Sequence, residues 1–205
     1  MSPHYPIPAA PVEVATEVKK SRFIARAAHC SSRAAAQSLL GRARSDYPDA
    51  RHHCWAYRLG DPACPHSAAM ADDGEPSGTA GKPILNILSH QPIGDLMLIV
   101  IRYFGGIRLG AGGLARAYAQ AAKLALDALP IKPYTPQLET VVRCEFSQEP
   151  LLRHWLASHQ GQILAASYDR QVQLHLRLPQ CAAVDWDAFC AQLQLVDITG
   201  PGSDR

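Results

Sequence analysis

Two glycine-rich segments, Asp72–Gly81 and Gly105–Gly113, concentrate the residue types that could do chemistry in this 205-residue chain. The second reads Gly-Gly-Ile-Arg-Leu-Gly-Ala-Gly-Gly, five glycines in nine residues. Glycine lets a backbone take positive φ and approach a ligand closely. Where a helix follows, its first amides and its dipole favour an anion. Arg102, Arg108 and Arg116 would add positive charge nearby. Gly105, Gly106, Gly110, Gly112 and Gly113 are therefore candidates for phosphate or backbone binding, and the competing reading is a tight turn without a ligand. Two familiar phosphate motifs fail here. A Walker A loop needs Lys-Ser/Thr where Ala111-Gly112 stands. Gly110-Ala-Gly-Gly-Leu-Ala115 fits a bare G-x-G-x-x-A, but the acid expected on a later parallel strand would fall in a helix end and a linker.

The first segment, Asp72-Asp73-Gly74-Glu75-Pro76-Ser77-Gly78-Thr79-Ala80-Gly81, holds three acids, two hydroxyls and three glycines. Such a set could bind a metal or move a proton. The plainer reading is that Asp72 and Asp73 make turn hydrogen bonds while Ser77 or Thr79 caps the next helix. EF-hand spacing, a G-x-S-x-G elbow and a paired histidine base are all lacking, which favours a structured binding loop over a catalytic one. His52, His53, Cys54, Cys64 and His66 form a loose ligand-type cluster. Strand alternation sends His52 and Cys54 to one face and His53 to the other, and the spacing matches no common zinc pattern. No metal, no cofactor and no catalytic residue is expected.

These loops need elements to hold them. Leu96–Ile101 is apolar on both faces and reads as a central strand leading into the Gly105–Gly113 loop. Beyond that loop, Leu114, Ala117, Tyr118, Ala121, Leu124 and Ala125 recur at helical spacing up to Pro130. Upstream, the pattern predicts a strand over about Glu17–Ala28, a helix from Arg33 to about Asp46, a strand at His52–Leu59, a short strand near Ala68–Ala71 and a helix near Ile84–Ser89. Met1–Pro11, with four prolines, reads as an extended, weakly ordered tail. Pro130, Pro133 and Pro136 mark a boundary. After it come a strand over Leu138–Phe146, a helix over Glu149–His159 with Gly161 as C-cap, strands at Ile163–Tyr168 and Gln171–Leu178, a helix over Cys181–Gln192 and a last strand at Leu195–Ile198. The order βαββαβ is that of a ferredoxin-like sandwich. The expected fold is α+β in two domains: a tail over 1–11, a first domain over 12–130 bearing both loops, a linker over 131–136, a ferredoxin-like domain over 137–199 and a tail over 200–205.

Bulk properties bound the rest. The chain is 47% hydrophobic and 19% charged, with a net charge of +2, ordinary for a globular protein. Residues 1–130 carry 14 Lys/Arg against 10 Asp/Glu, while 131–205 carry 6 against 8. A polyanion would therefore meet the first domain. The six cysteines contain no C-x-x-C, the N-terminus has no signal-peptide pattern, and no apolar run approaches the roughly 20 residues of a membrane span. The expectation is a cytoplasmic protein with reduced thiols and no membrane partner. On the second domain's sheet the outward residues Gln171, Gln173, His175 and Arg177 include no aromatic for base stacking.

Asp72–Leu85 and Arg102–Tyr118 (Arg-Tyr-Phe-Gly-Gly-Ile-Arg-Leu-Gly-Ala-Gly-Gly-Leu-Ala-Arg-Ala-Tyr) closely resemble the signature of the IMPACT/YigZ family. Lys20-Ser-Arg-Phe-Ile24 and His52–Tyr57 resemble its shorter motifs, with Ala71 and His53 as small departures. The resemblance spans about residues 12–130, and the second domain is similar to the C-terminal module of bacterial members. It implies a first domain of the left-handed βαβ type seen in domain two of a small-subunit ribosomal protein and domain four of elongation factor G. The second would resemble domain five of that factor. Eukaryotic relatives are translation regulators that act through protein contacts. The resulting expectation is a non-catalytic, translation-related regulator that binds RNA or a ribosome-associated partner. Its surface would comprise Asp72, Asp73, Gly74, Glu75, Pro76, Ser77, Gly78, Thr79, Gly81, Arg102, Tyr103, Phe104, Gly105, Gly106, Arg108, Gly110, Gly112, Gly113, Arg116 and Tyr118. The alternatives are an enzyme acting on a phosphorylated small molecule with Mg²⁺ at Asp72, Asp73 or Glu75, and a pure protein-interaction module.

Overall fold

A computed structural model describes residues 4–197, which divide into two compact units, the first ending at Tyr134 and the second beginning at Thr135. The tail over 200–205 and Ile198 of the expected last strand lie outside the described residues.

The first unit opens with β1 (Tyr5–Pro8), then β2 (Val12–Val18) and β3 (Ser21–His29), α1 (Arg33–Asp46), β4 (His52–Leu59) and β5 (Ser67–Ala71). It continues with α2 (Gly81–Ser89), β6 (Leu96–Tyr103), α3 (Ala111–Asp127) and β7 (Ile131–Tyr134). Five strands form one antiparallel sheet in the order β2-β3-β6-β4-β5, with β6 central. Alternation along β6 explains its unbroken apolar run. Leu96, Leu98 and Val100 pack under α2 and α3 with Tyr118, while Met97, Ile99 and Ile101 pack against α1. The sheet is thus the middle of three layers and is covered on both faces. Both β3 and β4 pair with β6, so the β3-α1-β4 crossover passes over one intervening strand.

Three expectations for this unit change. Residues of the expected N-terminal tail form β1, which pairs with β7, and Tyr5 and Ile7 are buried. Proline is tolerated there because a two-stranded ribbon has solvent-facing edges. The strand expected over Glu17–Ala28 is a hairpin, β2-β3, closed by Val18 opposite Ser21. Lys19 and Lys20 take φ of 46° and 64°, the left-handed pair that a two-residue primed turn requires. Without Asn or Gly the turn carries no sequence signal. Finally, α3 starts at Ala111, so Gly112 and Gly113 belong to its first turn and the loop proper ends at Gly110.

The second unit runs β8 (Gln137–Cys144), α4 (Glu149–Ser158), β9 (Gln162–Tyr168), β10 (Val172–Pro179), a short 3-10 turn, α5 (Ala183–Leu193) and β11 (Val196–Asp197). Its antiparallel sheet has the order β11-β8-β10-β9, the ferredoxin-like arrangement. Val172, Leu174, Leu176 and Leu178 pack on Leu152, Leu156 and Trp186 of the helices. On the other face Glu139 pairs with Arg177 at 2.7 Å and His175 at 3.3 Å. Two details differ from expectation. The strand β8 stops at Cys144, leaving Phe146 52% exposed beside Tyr168. The left-handed residue closing α4 is Gln160, at φ 56°, and the Gly161 amide bonds the Leu156 carbonyl at 2.8 Å. Among the described residues no helix is long and apolar enough to cross a membrane.

Candidate functional site

The four motifs that carry chemistry meet at one end of the five-stranded sheet. Antiparallel pairing sets His52 opposite Arg102 and Arg22 opposite Tyr103. The starts of β3 and β4 therefore flank the end of β6, where the second glycine loop departs. Asp72–Gly81 links β5 to α2 beside them.

Asp72 builds its loop from within. Its carboxylate accepts the amides of Gly78 at 2.8 Å, Ala80 at 3.0 Å and Gly81 at 2.8 Å. Neither Ser77 nor Thr79 caps α2: the N-cap is Ala80, with no side-chain cap bond, and the Thr79 hydroxyl donates to the Pro76 carbonyl. Asp72 supplies that acceptor from eight and nine residues upstream, a long-range cap with the sign the helix dipole favours. Burial raises its pKa, but the three amides more than offset this and hold the carboxyl below its ordinary range. A depressed folded-state value means the stabilisation is present above the unfolded carboxylate range, near pH 4. It is lost as pH falls through the folded value. Asp72→Asn is expected to cost about 1.5–3 kcal/mol at neutral pH. It should also flatten the acid side of the stability profile, read as urea midpoint against pH from about 6 to 2.

Asp73, in the left-handed region at φ 42°, accepts the His53 amide at 2.8 Å and pairs with Arg44 at 3.0 Å. Its carbonyl lies 3.0 Å from His52 Nδ1. Gly74 follows, also at positive φ. Glu75 turns inward, its side chain only 3% exposed. It accepts from Arg102 Nη1 at 2.7 Å and from the Tyr118 hydroxyl at 2.8 Å. This buried triad joins the first loop to β6 and α3. The Cys54 thiol donates to the Asp72 carbonyl at 2.9 Å and lies 3.3 Å from the Tyr118 hydroxyl. Burial pushes the thiol up to about 12 and the Tyr118 phenol well above its usual range, so both keep their protons at neutral pH. Cys54 is therefore a packing and hydrogen-bonding group, not a thiolate nucleophile.

Arg102, expected to meet phosphate, is committed to this core. Its side chain is 7% exposed, paired with Glu75, and its guanidinium lies 5.6 Å from the ring centroids of both Phe23 and Phe104. It also reaches Ser21 Oγ at 3.4 Å, and that oxygen accepts the Gly105 amide at 3.2 Å. Gly105 presses on the turn before β3: a Cβ there would sit 2.0 Å from the Lys20 carbonyl carbon and oxygen. Only glycine fits.

Beside this core lies a cleft of about 350 Å³ whose lining includes Arg51, His52, Glu75, Pro76, Arg102, Phe104, Arg108 and Gly110. Arg51 and Arg108 are exposed and, among the described residues, form no ion pair or hydrogen bond. Their charge is thus uncompensated. The first turn of α3 opens onto the same cleft at Gly110 and Ala111, with no side chain capping it. Buried Arg102 Nε has no partner. Arg116 is exposed on α3 and stands outside the cleft lining. Tyr103 turns to the other face, edge-on to Tyr47. Ser77 is exposed, and Gly78 takes the positive φ of the loop. Gly106 is exposed, and Gly112 and Gly113 lie in the first helical turn, behind Gly110. Sequence reasoning missed Arg51. The signal that finds it is strand pairing, which carries the residue before β4 to the end of β6.

The acids proposed for Mg²⁺ are each engaged: Asp72 by three amides, Asp73 by Arg44 and His53, Glu75 by Arg102 and Tyr118. Among the described residues no three His, Cys, Asp or Glu side chains are grouped to hold a metal. His53 is buried, and burial lowers its pKa.

Fold and site together define a two-domain α+β protein with a basic, glycine-framed cleft at one end of its three-layer domain. Residues 19–126 match the family described as the Impact N-terminal domain, and residues 142–194 match a domain of unknown function, DUF1949. IMPACT family member YigZ of Escherichia coli is 41% identical over 90% of this chain and 91% of its own length. An IMPACT family member of Haemophilus influenzae is 34% identical over 92% of this chain and 90% of its own. A crystal structure of a hypothetical protein aligns with a TM-score of 0.73 at 37% identity, covering 96% of this chain and 97% of that one. The chain belongs to the IMPACT family.

Proposed function

We propose that this protein is a non-catalytic, translation-related regulator that binds RNA through the cleft between the Asp72–Gly81 and Gly105–Gly113 loops. The observation that carries the reading is the pair of uncompensated guanidinium groups, Arg51 and Arg108, on one cleft beside the uncapped start of α3. Free arginines and helix-start amides are phosphate ligands. Around them every acid of the first loop is consumed in holding the loop's shape, and the nearest thiol is protonated. Such a site is furnished for binding: of the proton-transfer side chains on its lining, Glu75 is engaged by Arg102 and Tyr118, and His52 contacts the Asp73 carbonyl through Nδ1.

The translation assignment rests on the family resemblance at the two loops. A protein-only interaction surface is the competing reading, and nuclease treatment separates the two: RNA-mediated capture of partners is lost on digestion, direct protein capture is retained. The quantitative test is the affinity for a ribooligonucleotide against salt concentration. Binding through phosphates gives a linear fall of log K with log salt, and each phosphate-contacting arginine removed lowers the slope by about 0.7 for a single strand. Arg51→Ala and Arg108→Ala are expected to do so. Arg116→Ala, outside the cleft, is expected to do so less.

A further inference from the structure

The aromatic stack that anchors this cleft ends in an open ring. Phe23 is fully buried; the Arg102 guanidinium lies 5.6 Å from its centroid and 5.6 Å from that of Phe104; Phe104 is 57% exposed. The middle member cannot drift, because Glu75 holds it at 2.7 Å in a side-chain environment 93% or more buried. Phe104 is thus an exposed ring backed by a fixed cation, and the cleft it lines also holds Arg51, His52 and Arg108. A lone exposed apolar residue needs no explanation. An aromatic ring backed by a buried cation, on a cleft shared with two unpaired arginines, has the composition of a nucleotide platform: ring for the base, guanidinium for the phosphate. The cleft volume of about 350 Å³ lies at the small end of the range for ligand pockets, enough for one nucleotide and too little for a helix.

We propose that the cleft is a subsite for a single unpaired nucleotide of RNA, whose base stacks on Phe104 while Arg51 and Arg108 hold the flanking phosphates. This rests on the RNA-binding reading above and makes it specific. Bases inside an A-form duplex are already stacked and offer no free face, so double-stranded RNA would engage only the arginines. Selectivity is therefore for loops, bulges and ends. Because any base has a π face, preference among the four bases is expected to be weak.

The test uses the full chain, a ten-nucleotide oligouridylate, and the same strand in a blunt duplex with oligoadenylate. The wild type is expected to bind the single strand at least about tenfold more tightly than the duplex, and Phe104→Ala to remove about tenfold or more of single-strand affinity. The salt slope should stay unchanged in Phe104→Ala, whereas Arg51→Ala and Arg108→Ala should lower it. Phe104→Trp, which keeps a stacking face, should restore affinity. Thermal unfolding of each variant checks that the exposed position leaves the fold intact. Single-strand binding that responds to the arginines but not to Phe104→Ala overturns the stacking subsite and leaves RNA binding standing. Equal affinity for strand and duplex also overturns it. No salt-dependent binding of either overturns both readings.

Discussion

Glu75→Ala should lower the unfolding free energy of the first domain by about 3–5 kcal/mol, measured from urea unfolding of the full chain. The size follows from what is left behind. Arg102 is buried, and without Glu75 its charge has no counter-ion among its neighbours: Phe23, Phe104 and the Ser21 hydroxyl. The Tyr118 hydroxyl would lose the same acceptor. Removing one partner of a buried pair costs far more than the pair is worth, because the survivor keeps its desolvation penalty. Glu75→Leu combined with Arg102→Met should recover much of the loss, since two apolar groups need no partners. The double variant would still lack the fixed cation behind Phe104, so its single-strand affinity should remain reduced. Stability and binding are predicted to separate there.

Gly105→Ala is the second large effect, at about 3 kcal/mol. A Cβ would stand 2.0 Å from the Lys20 carbonyl, and the obstacle is main chain that cannot rotate away. That main chain sits in the Lys19-Lys20 turn, already in the left-handed region at both positions, and its register is fixed by the Val18–Ser21 pair. Relief would have to come from moving the glycine loop, which breaks the Gly105 amide bond to Ser21 and displaces Phe104. The neighbouring Gly106 is the control. It has positive φ at 85° but open space around it, so Gly106→Ala pays only for conformation, about 1 kcal/mol.

How much of this was readable in the sequence depends on whether the signal was local. The β6 run, the helical repeat from Leu114 to Ala125 and the alternation along β10 each state their own burial, and the fold class follows from them. The β2-β3 turn was hidden because Lys-Lys does nothing locally to announce positive φ. The pairing of β1 with β7 was hidden because prolines read as disorder unless a partner strand is known. Both glycine loops were visible as candidates, but the division of labour within them was not. Arg102 and Arg108 stand on either side of the same glycine pair, Gly105-Gly106, in the sequence. Depth separates them: β6 carries Arg102 into the core against Glu75, and the loop leaves Arg108 in solvent. Arg51 belongs to the site only through a pairing between β4 and β6 some 50 residues apart. No local pattern contains that information.

The central claim is that the unpaired arginines of the cleft bind phosphate. The measurement that bears on it most directly is the salt dependence of oligouridylate binding for the wild type and for Arg51→Ala/Arg108→Ala. A linear decline of log K with log salt, with the slope of the double variant smaller by about 1.4, is the predicted result. Identical slopes for the two proteins, or binding indifferent to salt, would contradict it.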